Sequence, residues 1–439
     1  MMPRSPFLRV GPLSPPAAAV GRIAGHDSRG FDVIHRMTGR IAGRRDRLRR
    51  RTWLARLGAG LGLGLTALVL AGCKAPPPPP PPPPPVDETL EGAINGVLLD
   101  MARQLGPLAG AERSAVIDPL LDGRSGQQTK ATERVAQALV AGVPRVLPKI
   151  RLLPFDEAGA KESRWLFNGT LTQEGAPGSY KLTVALSDRG SGVVIARGVA
   201  PLKDSQLDLS PTRFYSESPS LVRDRAVQGY LATTERPVGQ PADSLYLEQI
   251  PTAALLAEAQ EAYNHEKWDR ALELMATAAT RDDGQQLRTF NGLYMANMKL
   301  GRTADAEAAF GKIAALGLAT SNLAVKILFR PGTTEFMSDA PVYTMWLRQI
   351  ARAAQASELC LTVVGHTSKT GSEAVNKALS LRRAQTMRER LVRDAPTLGR
   401  GQRVRTEGRG WDETIVGTGT DDLRDALDRR VEFKVDHCA

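Results

Sequence analysis

The sequence has little of what enzymes commonly use for catalysis. Its five histidines match no metal-ligand spacing; they stand at positions 26, 35, 265, 366 and 437. No Ser-His-Asp or Cys-His arrangement of the kind that activates a nucleophile can be recognised. Residues 120–130, LLDGRSGQQTK, lack the spacing of a phosphate-binding loop. These absences predict a protein that is not an enzyme and that needs no cofactor and no metal.

A positively charged functional surface is also missing, although the formal net charge is +11. Residues 1–72 contain thirteen arginines and three aspartates, a net charge of +10, which leaves only +1 for residues 73–439. Because the excess charge belongs to the leader, the composition gives no support to nucleic-acid binding.

No hydrophobic run in the leader is long enough to span a bilayer comfortably. The basic stretch RRDRLRRRTWLAR precedes an uncharged, glycine-rich run at 57–72, which is shorter than the roughly 20 residues of a membrane helix. A basic region, an apolar region and small residues describe a secretory signal within the leader, residues 1–72. Met37 is a more ordinary start for such a signal than Met1. Leu-Ala-Gly-Cys at 70–73 resembles the bacterial lipobox, which implies diacylation of Cys73. Lys74 follows where inner-membrane retention has Asp, which implies outer-membrane sorting.

Ten consecutive prolines, 76–85, follow the lipobox. Such a run forms polyproline II at about 3.1 Å per residue, hence a spacer of roughly 30 Å within the segment 73–86. A proline-rich recognition ligand is the alternative interpretation.

Cysteine is scarce, and apart from Cys73 only Cys360 and Cys438 remain. In an oxidising compartment these two are expected to form a disulfide, provided that their strands are neighbours. A catalytic thiol is the alternative, but only His437 is adjacent to either cysteine in sequence, and no histidine stands in a nucleophile-activating context.

Residues 87–203 predict a small α/β domain. Apolar periodicity indicates helices near 89–104 and 130–141, and alternation indicates strands near 115–117, 150–155, 165–171, 180–186 and 193–199. This order of elements loosely resembles the periplasmic binding modules of the LpoB and TolB amino-terminal type, which implies a protein-binding role. An unrelated α/β domain remains the alternative.

Prolines mark residues 204–250 as a linker with one short helix near 221–232. The helical residues 251–320 contain two segments related by an offset of 35 and are similar to tetratricopeptide repeats. Because two repeats are fewer than a free solenoid needs, we expect them to lean on neighbouring domains. They serve either as a peptide groove or as a spacer.

The segment GHTSKTGSEAVNKALSLRRA, 365–384, predicts a strand, a polar loop and a helix that begins near Ser372. Asn376 and Arg383 are seven residues apart and therefore share one helical face, with amide and guanidinium aimed at one point. Arg382 is rotated about 100° away and is expected to be a solvated charge. The alternative is that Asn376 and Arg383 are also ordinary surface residues.

The motifs GHTSKTG, NKALSLRRA, GRGWDE and DRRVEFKV, within 325–437, resemble the OmpA-like peptidoglycan-binding domain of OmpA, Pal and MotB. The resemblance implies an α/β sandwich with a mixed sheet and a site for the diaminopimelate of the stem peptide. It assigns this site to Ser368, Asn376, Arg383, Arg429 and Arg430.

Two positions depart from the family pattern: Ser368 replaces an aspartate and Asp428 an asparagine. Diaminopimelate presents a carboxylate, which an arginine can bind with two hydrogen bonds, and an ammonium, to which Ser368 offers only a neutral acceptor. We therefore expect a weaker or altered site. Glu373, Asp412 and Asp428 are the acidic candidates to bind the ammonium.

Together these observations predict a multidomain α/β plus α chain with a lipoprotein signal. The first functional hypothesis is an outer-membrane lipoprotein, facing the periplasm, that binds peptidoglycan non-covalently. The second is a periplasmic adaptor for an envelope complex, in which the OmpA-like domain has lost or altered its ligand and the other modules bind envelope proteins.

Overall fold

A computed structural model describes residues 87–330, 332–336, 340–357, 359–420, 424–436 and 438. The predicted leader, the lipobox with Cys73 and the proline spacer lie outside these residues. The described part confirms the mixed α/β class, with two mixed sheets and many helices. None of its helices is both long and apolar enough to cross a membrane.

The first sheet lies within residues 87–203. Its elements are α1 Leu90–Leu105, β1 Arg113–Ile117, β2 Leu121–Asp122, α2 Lys130–Val146, β3 Ile150–Leu152, α3 Glu157–Glu162, β4 Trp165–Gln173, β5 Ser179–Asp188 and β6 Val193–Lys203. The strand order is β3-β1-β4-β5-β6, with β2 beside β4. The strands β4, β5 and β6 are antiparallel, and β1 runs parallel to β3 and β4.

Helix α1 shows why this layer forms. Thr89 caps its first turn by accepting a hydrogen bond from the Gly92 amide, and one apolar face buries Ile94, Leu98 and Met101. That face packs on β6. At the contact a Cβ on Gly198 would lie 2.6 Å from the Val97 carbonyl oxygen, so only glycine allows this close approach.

Residues 204–250 contain more structure than the predicted linker with one helix. They form α4 Arg213–Glu217, α5 Arg225–Glu235 and α6 Ser244–Glu248. Four aromatic side chains are buried here: Phe214, Tyr215, Tyr230 and Tyr246. These side chains anchor the segment to the α/β unit before it and to the helix pairs after it. The prolines had indicated a linker instead.

Two helix pairs follow: α7 Ile250–Asn264, α8 Trp268–Ala279, α9 Leu287–Lys299 and α10 Thr303–Ala319. As expected for so short an array, they lean on a neighbour, the helix α11 Ala340–Ala356. The Trp346 ring of α11 stacks on Phe310 at 5.2 Å between centroids, and its Nε1 donates to the Tyr294 hydroxyl at 3.0 Å.

The face formed by α7 and α9 is partly covered by the chain itself. The Phe214 amide donates to Asn264 Oδ1 at 2.9 Å, and the Ser220 amide donates to Asn291 Oδ1 at 3.2 Å. The Leu221 amide then donates to the Ala324 carbonyl at 2.8 Å. Residues 213–221 therefore join the helix pairs to the second sheet, and this part of a predicted peptide groove is filled internally.

The second sheet contains β7 Leu323–Val325, β8 Cys360–His366, β9 Val404–Gly410 and β10 Val431–Asp436 in the order β7-β10-β8-β9. Strands β8 and β9 are parallel, and β10 is antiparallel to β7 and β8, so the sheet is mixed. Helix α12, Glu373–Asp394, packs on β8 and β9. A disulfide joins Cys360 and Cys438 at the end of the β8 and β10 pair.

Candidate functional site

Strand β8 ends at His366, and a loop over 367–372 leads into α12. The helix lies unusually close to the sheet, because a Cβ on Gly365 would be 2.2 Å from the Ser380 carbonyl oxygen. Asn376 and Arg383 are both buried, whereas Arg382 is exposed. This placement agrees with the helical spacing read from the sequence.

Arg383 is held in a fixed orientation from a distant part of the chain. Its Nε donates to the Thr333 carbonyl at 3.1 Å, and its guanidinium carbon lies 4.6 Å from the centre of the Phe329 ring. Only 5% of the residue is exposed. A guanidinium whose plane is fixed loses less conformational entropy when it binds a carboxylate.

Asn376 stabilises the loop over 367–372. Its Nδ2 donates to the carbonyl oxygens of Thr370 at 2.6 Å and of Ser372 at 3.0 Å. Between these two residues Gly371 adopts a φ of +83°, which favours glycine. Both amide hydrogens are thereby used to hold the loop, so Asn376 shapes the site and does not aim its amide nitrogen at a ligand beside Arg383.

Ser368 lies in the same loop and is buried. The Thr367 amide donates to the Gly410 carbonyl at 2.8 Å, which fixes the loop to the end of β9. A Cβ on Gly419 would lie 3.0 Å from the Lys369 carbonyl oxygen, so the loop before β10 closes the other side. The serine therefore occupies a closely packed position and brings no charge to it.

The model of the OmpA family matches residues 328–426. Residues 328–426 are an OmpA-family domain. No curated protein matches the chain. Three solved structures are similar to parts of it. The peptidoglycan-associated lipoprotein from Burkholderia pseudomallei has 21% identity over 25% of this chain and 88% of that one, with a TM-score of 0.22. The cell wall anchor of the T6SS from Pseudomonas aeruginosa has 25% identity over 26% of this chain and 78% of that one, with a TM-score of 0.21. The LpoB C-terminal domain from Salmonella enterica has 15% identity over 26% of this chain and 98% of that one, with a TM-score of 0.21.

Asp428, which follows the family match, is fully buried. Its Oδ1 accepts hydrogen bonds from the amides of Ile415 at 2.5 Å and Val416 at 3.1 Å, and its Oδ2 accepts one from Gly417 at 2.8 Å. The carboxylate therefore organises the loop that borders the site. It is not placed to replace the missing aspartate as partner of a ligand ammonium.

The other two acidic candidates lie on the surface of the OmpA-family domain. Glu373 is exposed in the first turn of α12. Asp412 pairs with Lys377 at 3.4 Å across the gap between β9 and α12. Of the three acids considered from the sequence, these two alone present their carboxylates near solvent.

Arg430 is buried in an ion-pair network. Its Nη2 lies 2.6 Å from Glu432 Oε1, and Nη2 also donates to the Glu413 carbonyl at 3.2 Å. The His366 Nε2 lies 3.6 Å from Glu432 Oε1. Burial raises the pKa of Glu432, but His366 and Arg430 more than offset this and hold the pKa well below its usual range. Arg430 thus stabilises the domain, while its neighbour Arg429 is partly exposed.

The residues that orient Arg383 were missed in the sequence. Thr333 and Phe329 are about fifty residues before it, in a segment without helical or strand periodicity. Only knowledge of the tertiary contact identifies them. The sequence pattern also assigns no role to Trp411, which directly follows β9 inside the GRGWDE motif.

Proposed function

We propose that this protein is an outer-membrane lipoprotein that binds peptidoglycan non-covalently through its OmpA-family domain. The observation that carries the proposal is Arg383, a buried guanidinium held by Thr333 and Phe329 inside a domain of this family. It would bind the carboxylate of the diaminopimelate in the stem peptide. Ser368 and Arg429 would lie beside it, and Asn376 and Arg430 would keep the site in shape.

Attachment to the outer membrane would come from acyl chains on Cys73, and the proline run would carry the folded part away from the bilayer. This part of the proposal rests on the leader sequence. The protein would then face the periplasm and connect the membrane with the cell wall.

The binding test is a pull-down of the full-length protein, in mild detergent, with isolated sacculi. Removing one side of a buried charged pair costs about 2–5 kcal/mol, so Arg383→Ala should weaken binding by roughly 30-fold or more. Arg382→Ala is the matched control and should have little effect, because this side chain is exposed. Ser368→Asp should strengthen binding by returning a carboxylate to the ammonium. Circular dichroism will show whether each variant is folded.

The attachment test is metabolic labelling with a fatty-acid probe. Cys73→Ser should abolish the label, because only a thiol at this position can carry the thioether-linked diacylglycerol. Undiminished label in the variant would refute lipidation at this cysteine.

A second candidate function is a periplasmic adaptor whose OmpA-family domain has lost the stem-peptide ligand. It is favoured by the neutral Ser368 and by Asp428, whose carboxylate is bound by three backbone amides. If the parent protein binds sacculi no better than an unrelated periplasmic protein, and Ser368→Asp gains nothing, the adaptor function replaces the first.

A further inference from the structure

One tryptophan of the described chain stands apart from the others. Trp165 and Trp346 are buried, and Trp268 packs edge-on against Tyr263 at 4.7 Å between centroids. Trp411 is partly exposed, and no described residue stacks on its indole or places a cation over it. A partly exposed aromatic ring beside a candidate ligand site commonly forms part of the binding surface.

The backbone next to Trp411 is held in place by contacts with α12. It follows Gly410, whose amide donates to Ser380 Oγ at 2.9 Å and whose φ is +54°. A Cβ on Gly410 would lie 3.2 Å from the Lys377 amide nitrogen. The end of β9 therefore lies close against the second turn of α12, and the positive φ together with this close approach favours glycine at position 410.

Trp411 lies in a tight turn. The Asp412 amide donates to the Arg409 carbonyl at 3.0 Å, which places Trp411 near the tip of this turn. On the other side, the Gly410 carbonyl holds Thr367 of the site loop. Trp411 thus stands at the carboxyl end of β9, next to both elements that build the candidate site, where ligands bind in open α/β sheets.

We propose that Trp411 forms a sugar subsite in which the indole packs against the apolar face of a hexosamine ring of the glycan strand. This proposal rests on the proposed function and adds the glycan to the stem peptide as a recognised part of the ligand. A pyranose ring exposes C–H groups on one face, and these pack well on an aromatic surface.

The spacing along α12 fits this arrangement. Gly410 lies against the backbone of residues 376–377, and Arg383 follows Asn376 by seven residues, or about 10 Å of helix. Diaminopimelate is the third residue of the stem, and three extended residues span roughly 10 Å. One muropeptide can therefore place its carboxylate at Arg383 and its sugar at Trp411.

The experiment compares two ligands of the full-length protein in detergent by titration calorimetry. One is a disaccharide-tripeptide muropeptide, and the other is the free tripeptide with the same diaminopimelate. The parent protein should bind the muropeptide about tenfold more tightly. Trp411→Ala should remove this difference without changing the affinity for the free peptide, and Trp411→Phe should keep most of it. Val140→Ala is the control, since Val140 is 49% exposed on α2, in the other sheet unit.

Each outcome decides one point. If both ligands bind and Trp411→Ala leaves their ratio unchanged, or weakens both equally, the sugar subsite is refuted while the proposed function stands. If neither ligand binds the parent protein, the proposed function fails and the subsite fails with it. Loss of the ratio in Trp411→Ala, with retention in Trp411→Phe, supports the subsite.

Discussion

Replacing Asp428 tests whether a buried carboxylate holds the loop that borders the candidate site. Asp428→Ala removes the acceptor of three backbone amides, those of Ile415, Val416 and Gly417. A hydrogen bond to a charged group contributes about 1.5–3 kcal/mol, and a buried donor left without a partner costs about 1–3 kcal/mol. Because the loop can relax and admit water, we expect a total loss of about 3–5 kcal/mol in the free energy of unfolding.

Asp428→Asn provides a graded comparison, since asparagine is the residue of the family pattern at this position. Its amide keeps one acceptor oxygen but turns a donor group towards the remaining backbone N–H. We expect a loss of about 1–3 kcal/mol, between the parent and the alanine variant. Asp412→Ala is the matched control: its acid pairs with Lys377 on the surface, and such pairs contribute about 0–1 kcal/mol.

Urea unfolding of a soluble chain that begins at residue 87 measures these losses. Hydrogen exchange measures the cause directly, because the amides of residues 415–417 should exchange faster in Asp428→Ala. Unchanged exchange at these three amides, or a loss no larger than that of Asp412→Ala, would show that the carboxylate does not hold the loop.

Two further predictions concern other parts of the chain. Burial raises the pKa of Asp118 to about 6, although the hydrogen bond from Tyr246 and the charge of Arg288 both lower it. Because the folded-state pKa lies above the unfolded value, the contribution of Asp118 to the free energy of unfolding is complete below about pH 4. It falls by about 3 kcal/mol as the pH rises through about 6. Asp118→Asn should flatten this part of the stability profile in urea titrations, and an unchanged slope would contradict the prediction. The disulfide of Cys360 and Cys438 closes a separation of 78 residues, so Cys438→Ser should lower the free energy of unfolding by up to about 4 kcal/mol. Mass spectrometry of a non-reduced digest should show the joined peptides, and two free thiols in periplasmic material would refute the bridge.

The fold of the C-terminal domain could be predicted because its signals are local. The apolar run before Gly365, the polar turn and the seven-residue spacing of Asn376 and Arg383 define strand, loop and helix without reference to the rest of the chain. The resemblance carried by the family motifs then implies a mixed sheet, which the structure contains.

What the side chains of the site contact could not be predicted in the same way. The amide of Asn376 binds carbonyls of its own loop, and Arg383 binds the Thr333 carbonyl fifty residues away. Such pairings depend on how loops pack, which residue spacing does not encode. The aromatic anchors of residues 204–250 were missed for the same reason, since isolated Phe and Tyr residues between prolines carry no periodicity.

The packing between modules bears on the choice between wall anchor and adaptor. In the α/β unit, Arg124 Nη1 donates to the Val416 carbonyl at 3.4 Å, and Asp428 holds the loop that carries this carbonyl. Residues 213–221 connect the helix pairs to β7 in turn. A domain that binds the wall through Arg383 would therefore hold the α/β unit in a set orientation relative to the wall, which a flexible linker would not do. Wall anchoring and partner binding are therefore compatible, because a wall-bound OmpA-family domain would present the surface of the α/β unit to a partner protein.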